Sequence, residues 1–399
     1  MKKDKNKKTE NNAAVETAEA NTAPEYTLDI PEDEIWTYQI EGLQAPHIGK
    51  PYKNMRLKQI IVVVTLVIAI SLAIYLSVRA VHSDTYKYND LGNGTYELVK
   101  FSNPGEITEL TVDYVVDLET GERDTSKPIT VLHEYAFNCD DKLQTITIGA
   151  DVTQIDGKSF YTCNYLQCIY VDENNPNYCD VDGVLYTKDL KEIICYPIDH
   201  DQYLRGKYGY EEEIWPDNEN QELYEKYKTD IRTYVIPSTV EKIGKLCFNY
   251  ANLVDVYMPE GVKTIETMSF FKAWWFEHVY SYTTDVPITD TSAKAIESFA
   301  SVYPSLPEGL EYIGSDAFSY DREVTYVYIP SSVTYIGHHA FWDACYKESG
   351  TIKGVSEINV ANDKDTFDAQ THVGDQWKPQ YDYMLFKKSV AVNYSAERK

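Results

Sequence analysis

The sequence predicts a single-pass membrane protein whose outer part is a β-rich solenoid of repeats, one short strand per coil, interrupted by two insertions. Three observations carry this reading. Residues 60–78 form an uncharged apolar run, a phrase ending in phenylalanine recurs through the later part of the chain, and the acidic surplus lies on one side of the apolar run. The 399 residues carry 37 basic and 63 acidic side chains, a net charge of −26, with 43% hydrophobic residues. That apolar fraction excludes wholesale disorder. The acidity argues against nucleic acid as a partner, because binding phosphates needs basic patches.

Residues 1–58 read as a cytoplasmic, mostly disordered tail. The first 24 residues are polar and lack aromatics. Residues 25–49 add Trp36, Tyr38, Ile40 and Leu43 among acids. This segment is either a juxtamembrane linker or a docking site for a cytoplasmic partner; the linker is the favoured reading, and docking defines the alternative function of a transmembrane adaptor or sensor.

Residues 59–80 are expected to form a transmembrane signal anchor. Ile60 to Val78 holds 19 uncharged residues, which as a helix would span roughly 28 Å, near the thickness of a bilayer core. Lys50, Lys53, Arg56 and Lys58 precede the run, placing the N-terminus in the cytoplasm by the positive-inside rule. Residues 1–58 hold nine basic and ten acidic side chains, whereas 27 basic and 53 acidic ones follow Arg79. The surplus therefore belongs to the extracellular part.

Residues 84–128, with alternating strands and turns at Asn93-Gly94 and Thr120-Gly121, suit an N-terminal cap over an exposed solenoid end. The solenoid itself is expected over 129–390. Its phrase appears as IPSTVEKIGKLCF (Ile236–Phe248), MPEGVKTIETMSF (Met258–Phe270), LPEGLEYIGSDAF (Leu306–Phe318) and IPSSVTYIGHHAF (Ile329–Phe341). A weaker copy is IGADVTQIDGKSF (Ile148–Phe160), and ITVLHEYAF (Ile129–Phe137) is the tail of another. Pro237, Pro259, Pro307 and Pro330 each precede their phenylalanine by 11 residues.

Before most copies stands a strand spaced apolar-x-x-apolar-x-apolar: Leu143/Ile146/Ile148, Leu166/Ile169/Val171, Leu253/Val256/Met258, Val324/Val327/Ile329 and Val355/Ile358/Val360. This is the leucine-rich-repeat rhythm, in which each coil buries its apolar edge only against its neighbours.

These phrases resemble the BspA-type (Treponema-type) leucine-rich-repeat family of bacterial surface proteins. VDENNPNYCDVDGVLYTKDLKEIICYP (Val171–Pro197) is similar to a hairpin that follows many such repeats, and Ile358–Lys388 is an eroded echo of it. The resemblance implies a cell-surface protein that binds host or environmental macromolecules without a catalytic site. Two stretches depart from the repeat. Residues 199–230 suggest a short helix after Pro216. Residues 271–305 hold Trp274-Trp275-Phe276, read as a plug under a long loop rather than a recognition knob, and a possible helix over 291–303 that could instead hide a decayed coil.

No catalytic motif, phosphate loop or zinc pair is present in the sequence, so neither enzyme activity nor a cofactor or metal is expected. Asp180 and Asp182-Gly183 with Asp172 read as turn residues rather than a calcium loop. Seven cysteines cannot all pair. Buried thiols are expected at Cys139, Cys163 and Cys345, with Cys163–Cys168 or Cys179–Cys195 as alternative bridges. The third and fifth positions of the repeat strands should face outward. On that basis Tyr170, Asp255, Tyr257, Tyr326 and Tyr328 are the candidate ligand-binding residues, for an extracellular protein or glycan. Cross-strand stacking that merely stabilises the sheet is the competing role for the tyrosines.

Overall fold

The computed structural model describes residues 63–72, 85–103, 107–117, 119–137, 142–215, 220–273, 275–348, 351–381 and 388–399. The polar tail, the 25–49 segment, Cys139, Trp274 and the eroded hairpin at 382–386 lie outside them. The chain divides into two units, Met1–Ala69 and Ile70–Lys399. Residues 63–72 are helical with every side chain exposed. Among the described residues no helix is long and apolar enough to cross a membrane; the rest of the 60–78 run is not described.

From Glu109 onward the chain winds as a solenoid whose coils present three sides. The first side is the apolar-x-x-apolar-x-apolar strand. Glu109–Val112, Thr145–Ile148 and Cys168–Val171 pair in parallel, as do Thr233–Val235, Asp255–Pro259 and His278–Thr283. Val327–Ile329, Glu357–Val360 and Ala391–Tyr394 form a further parallel set. Every apolar position of the five expected strands is buried except Val171, which is half-buried. The ladder runs further than expected at both ends, reaching back to Glu109 within the stretch read as a cap and on to Tyr394.

The second side comes from the V-x-x-I pair. Lys242–Ile243, Thr264–Ile265, Tyr312–Ile313, Tyr335–Ile336 and His372–Val373 form two-residue parallel strands, continuing the hairpin strands Tyr178–Val181, Val184–Thr187 and Glu192–Cys195. Coils approach here so closely that a Cβ on Gly314 would stand 2.4 Å from the backbone nitrogen of Thr267. The glycine of the I-G step is thus a spacing requirement.

The third side is the turn around each phenylalanine. At Phe248, Phe270, Phe318 and Phe341 the residues two before and two after are left-handed without being glycine: Leu246 and Tyr250, Met268 and Lys272, Asp316 and Tyr320, His339 and Asp343. This alternation points every second N–H along the solenoid axis. Met268, Phe270 and Lys272 donate to the carbonyls of Ser315, Ala317 and Ser319 at 2.9, 2.8 and 3.1 Å, and Phe318 continues to Ala340 at 2.7 Å. Three such bonds at about 1 kcal/mol each are of the same order as the strain of two left-handed residues, about 1–2 kcal/mol each. Burial of the phenylalanine supplies the surplus. The rings stack coil on coil: Phe248–Phe270 at 4.8 Å, Phe270–Phe318 at 5.1 Å and Phe318–Phe341 at 5.2 Å, with interplanar angles of 10° or less. Phe137 and Phe160 repeat the arrangement at 5.6 Å.

The insertions build separate small cores. Helix His200–Tyr208 and helix Gln221–Ile231 pack through Leu204, Tyr224, Tyr227 and Ile231; the second is the helix expected after Pro216. Asn220 caps it by accepting from the Leu223 N–H at 3.0 Å. In the second insertion a coil is present: His278–Thr283 sits in register in the ladder, and Phe276 is buried on Phe270 at 5.0 Å. The stretch read as a possible helix is only a 3₁₀ segment, Ala293–Ser298, followed by strand Ser301–Tyr303 antiparallel to the coil strand.

None of the six described cysteines is in a disulfide, so neither alternative bridge forms. Burial pushes the Cys195 and Cys345 thiols up to about 12, leaving them neutral and unreactive at pH 7. Asp182 and Gly183 are both left-handed in the hairpin turn, and Asp180 accepts from the Val171 N–H at 2.9 Å, so these aspartates serve the turn.

Phe270→Ala removes the middle of the ring column and should destabilise the solenoid by about 3–5 kcal/mol, read as a lower urea midpoint by circular dichroism. A loss below about 1 kcal/mol would show that the column does not hold the coils.

Candidate functional site

The strand side of the solenoid carries the residues nominated from sequence, and the structure distributes them over three separate sheets. Tyr170 stands on the first, 39% exposed. Burial of part of the ring, and then the hydrogen bond to Cys168, push its hydroxyl to about 12. Helix His200–Tyr208 borders the same sheet: Tyr203 donates to Asp182 at 2.9 Å, and Lys207 pairs with Asp182 at 2.6 Å.

Asp255 and Tyr257 lie together on the second sheet. Asp255 is only 8% exposed. Lys228, from the inserted helix, reaches one carboxylate oxygen at 3.1 Å, and His278 Nδ1 lies 2.8 Å from the other. The insertion thus converts an outward strand position into a nearly buried ion pair. Tyr257 stacks on Tyr280 of the next coil at 4.7 Å and 16°. Partial burial, with the nearby Asp255 carboxylate, raises the pKa of both hydroxyls, so they stay protonated donors throughout the physiological range. The second insertion folds over one flank of this sheet. Phe299 stacks on Tyr282 at 4.0 Å and leans on Tyr257 at 5.7 Å, above a small core of Val235, Ile288 and Ala295. Tyr257 remains half-buried at the edge of that cover.

Tyr326 and Tyr328 belong to the third sheet. Tyr328 is 4% exposed and Tyr326 half-buried, because the segment Ser395–Lys399 turns back across them. Lys399 Nζ lies 4.4 Å from the centre of the Tyr326 ring. Arg398 packs beside the pair, its charge partly offsetting the rise that burial and Glu308 impose on the Tyr328 pKa.

Sequence reasoning overlooked Tyr280 and His278 because the second insertion separates their strand from the rest of its coil, the phrase Leu306–Phe318; the spacing Phe276-x-x-Val279-x-Ser281 was the strand's surviving signal. It also missed the cage around Arg232. This fully buried guanidinium pairs with Glu213 and lies 5.0, 5.5 and 5.6 Å from the rings of Trp215, Tyr227 and Trp275. The tryptophan cluster therefore splits its roles: Phe276 plugs the core, while Trp275, partly exposed, closes the cage that fastens the first insertion to the solenoid.

Coils closed by an in-register strand ladder, a phenylalanine column and I-G spacing glycines define a leucine-rich-repeat solenoid. The family described as "BspA type Leucine rich repeat region" matches in six copies over residues 114–194 and 221–349, just over half of the chain. The chain belongs to that family, and the gap between the matched stretches holds the first inserted helix. Among solved structures, the pneumococcal vaccine antigen PcpA shares 14% identity over 78% of this chain and 84% of that one, with a TM-score of 0.38. A leucine-rich repeat protein from Eubacterium ventriosum shares 13% over 79% and 94%, with a TM-score of 0.39. A leucine rich cell surface protein from Faecalibacterium prausnitzii shares 19% over 66% and 62%, with a TM-score of 0.37. No curated protein matches the chain.

Lys228→Met leaves the Asp255 carboxylate with His278 alone. The loss of stability should reach about 2–3 kcal/mol, less than for a fully buried pair that loses its one partner. Chemical denaturation of the variant measures it, and Lys228→Met with Asp255→Asn should recover part of the loss.

Proposed function

We propose that the protein is a cell-surface recognition protein, anchored by a single helix near residues 60–78 with the N-terminus cytoplasmic, and that the strand face of its solenoid binds an extracellular protein or glycan. The observation that carries the reading is the stacked, half-buried pair Tyr257–Tyr280 beside Asp255, a rigid platform with polar tips in the middle of the strand side. Aromatic residues of this kind give large contact area at small entropic cost. Tyr170 extends the platform on the first sheet; Tyr326 and Tyr328 extend it on the third, beneath the Ser395–Lys399 segment. Repeats of this family serve binding rather than catalysis, and nothing in the face requires a cofactor.

The helical residues 63–72 support the anchor: Val63, Leu66, Val67, Ile68 and Leu72 are each more than half exposed, a pattern that water disfavours and lipid satisfies. Alkaline carbonate extraction of cell membranes should leave the full chain in the pellet, and external protease should remove the solenoid from intact cells. Release into the supernatant, or full protection from protease, would contradict the anchor or its orientation.

For the face itself, the full chain in detergent is screened on glycan and matrix-protein arrays. Tyr170→Ala and Tyr257→Ala, both at partly exposed positions, should each weaken the strongest binding at least tenfold while the chain stays folded by circular dichroism. Unchanged binding would move the site elsewhere.

A further inference from the structure

The seam between the second and third sheets holds a pocket built for a guanidinium group. Among the described residues, strand Ser301–Tyr303 pairs with His278–Thr283 alone and Val327–Ile329 with Glu357–Val360 alone, so the two sheets do not join edge to edge there. Arg398 fills the gap. Its Nη2 donates to Glu260 Oε1 and to the buried Ser281 hydroxyl. Its Nε donates to the buried Ser305 hydroxyl at 2.7 Å and lies 3.7 Å from Glu308 Oε1. The Tyr303 ring faces the guanidinium plane at 4.0 Å, a cation–π distance.

The walls are prepared independently of the occupant. Glu260 Oε2 accepts from the Glu308 N–H at 2.6 Å, which aims the other oxygen into the seam, and the Ser305 N–H is held by the Tyr303 carbonyl at 2.8 Å. Two carboxylates, two buried hydroxyls and one ring face match the charge, the forked donors and the flat face of arginine; lysine would fill neither the fork nor the stack. The occupying segment reaches the seam from the third sheet. After left-handed Ser395, its backbone is tied by the Ser395 N–H to Asn362 and the Ala396 N–H to Val360, both at 2.9 Å.

We propose that this seam is a recognition pocket for an arginine side chain of a partner polypeptide, and that Arg398 occupies it as an internal competitor that the partner displaces. The proposal deepens the recognition reading above and rests on it. It selects protein over glycan, and a basic protein in particular, consistent with the −26 charge of the chain. A tethered competitor acts at an effective concentration in the millimolar range. The partner's arginine must therefore be reinforced by neighbouring contacts, which the adjacent Tyr326 and Tyr328, uncovered by the same displacement, are placed to supply.

The probe is a fluorescent peptide of sequence YSAERK, compared with the same peptide carrying citrulline for arginine, on the full chain in detergent. Arg398→Ala should bind the arginine peptide at least tenfold more tightly than the unsubstituted chain does. The citrulline peptide should bind at least tenfold more weakly, and adding Glu260→Gln should remove the difference. Equal binding of both peptides, or no binding to a folded Arg398→Ala chain, overturns the pocket. Should Arg398→Ala unfold, hydrogen exchange on the unsubstituted chain decides: saturating arginine peptide should accelerate the amides of residues 396–399 and citrulline peptide should not, and no acceleration overturns the proposal. If array ligands of Arg398→Ala are glycans alone, the protein assignment fails while the strand-face reading stands. If Tyr170→Ala and Tyr257→Ala leave array binding intact, that reading fails while the peptide result still reports on the pocket.

Discussion

Everything on this solenoid depends on the distance between one coil and the next, and that distance is fixed by backbone contact. At Phe248, Phe270 and Phe318 the N–H groups of the phenylalanine and of the residues two before and two after it all donate to the following coil, which requires left-handed residues on both flanks. The I-G glycine admits the neighbouring backbone where a methyl group would collide. Flat ring stacking at about 5 Å then follows, because the rings have the same spacing as hydrogen-bonded strands. Stiff backbone spacing on the second and third sides leaves the side chains of the first side free to serve as a surface.

That surface is patterned by what interrupts it. The first insertion brings Lys228 to Asp255 and is itself fastened through the caged Arg232. The second lays Phe299 against Tyr257 and Tyr282. The segment after Ser395 lies over Tyr326 and Tyr328. A continuous row of strand positions becomes three patches of different chemistry, with an aromatic pair in the middle and a seam that accepts a guanidinium group at one border. Insertions in a solenoid therefore shape its exposed strand face as much as its repeats do.

The repeat was legible because its signals are apolar and periodic. The strand spacing named Leu253, Val256 and Met258 as core, and the phase of the six phenylalanines anticipated their column. The left-handed positions were not legible, since Leu246, Met268 and Asp316 carry none of glycine's compositional signal. The strand His278–Thr283 was not read as part of the ladder, because the insertion places about twenty residues between it and its own phrase at Leu306–Phe318; the decayed coil was sought in 291–303 instead. The exposure of site residues was the least readable property. The strand pattern sets the side a residue points to, whereas cover by a distant segment decides what reaches it. Asp255 and Tyr328 point as their spacing says and are nearly buried; Tyr170 and Tyr257 keep usable surface. The tyrosine excess divides accordingly: Tyr257 and Tyr280 stack on the strand face, while Tyr312 and Tyr335 stack at 4.7 Å on the other side of the coils.

The two stacked pairs allow the central claim, that the strand face is the recognition surface, to be tested directly. A photoreactive benzoylphenylalanine placed at Tyr257 or, separately, at Tyr335 keeps an aromatic ring at either site, and each chain is irradiated with a ligand found on the arrays. Covalent adducts are expected from position 257 and none from position 335. Adducts from 335 alone would put recognition on the opposite side of the solenoid and contradict it.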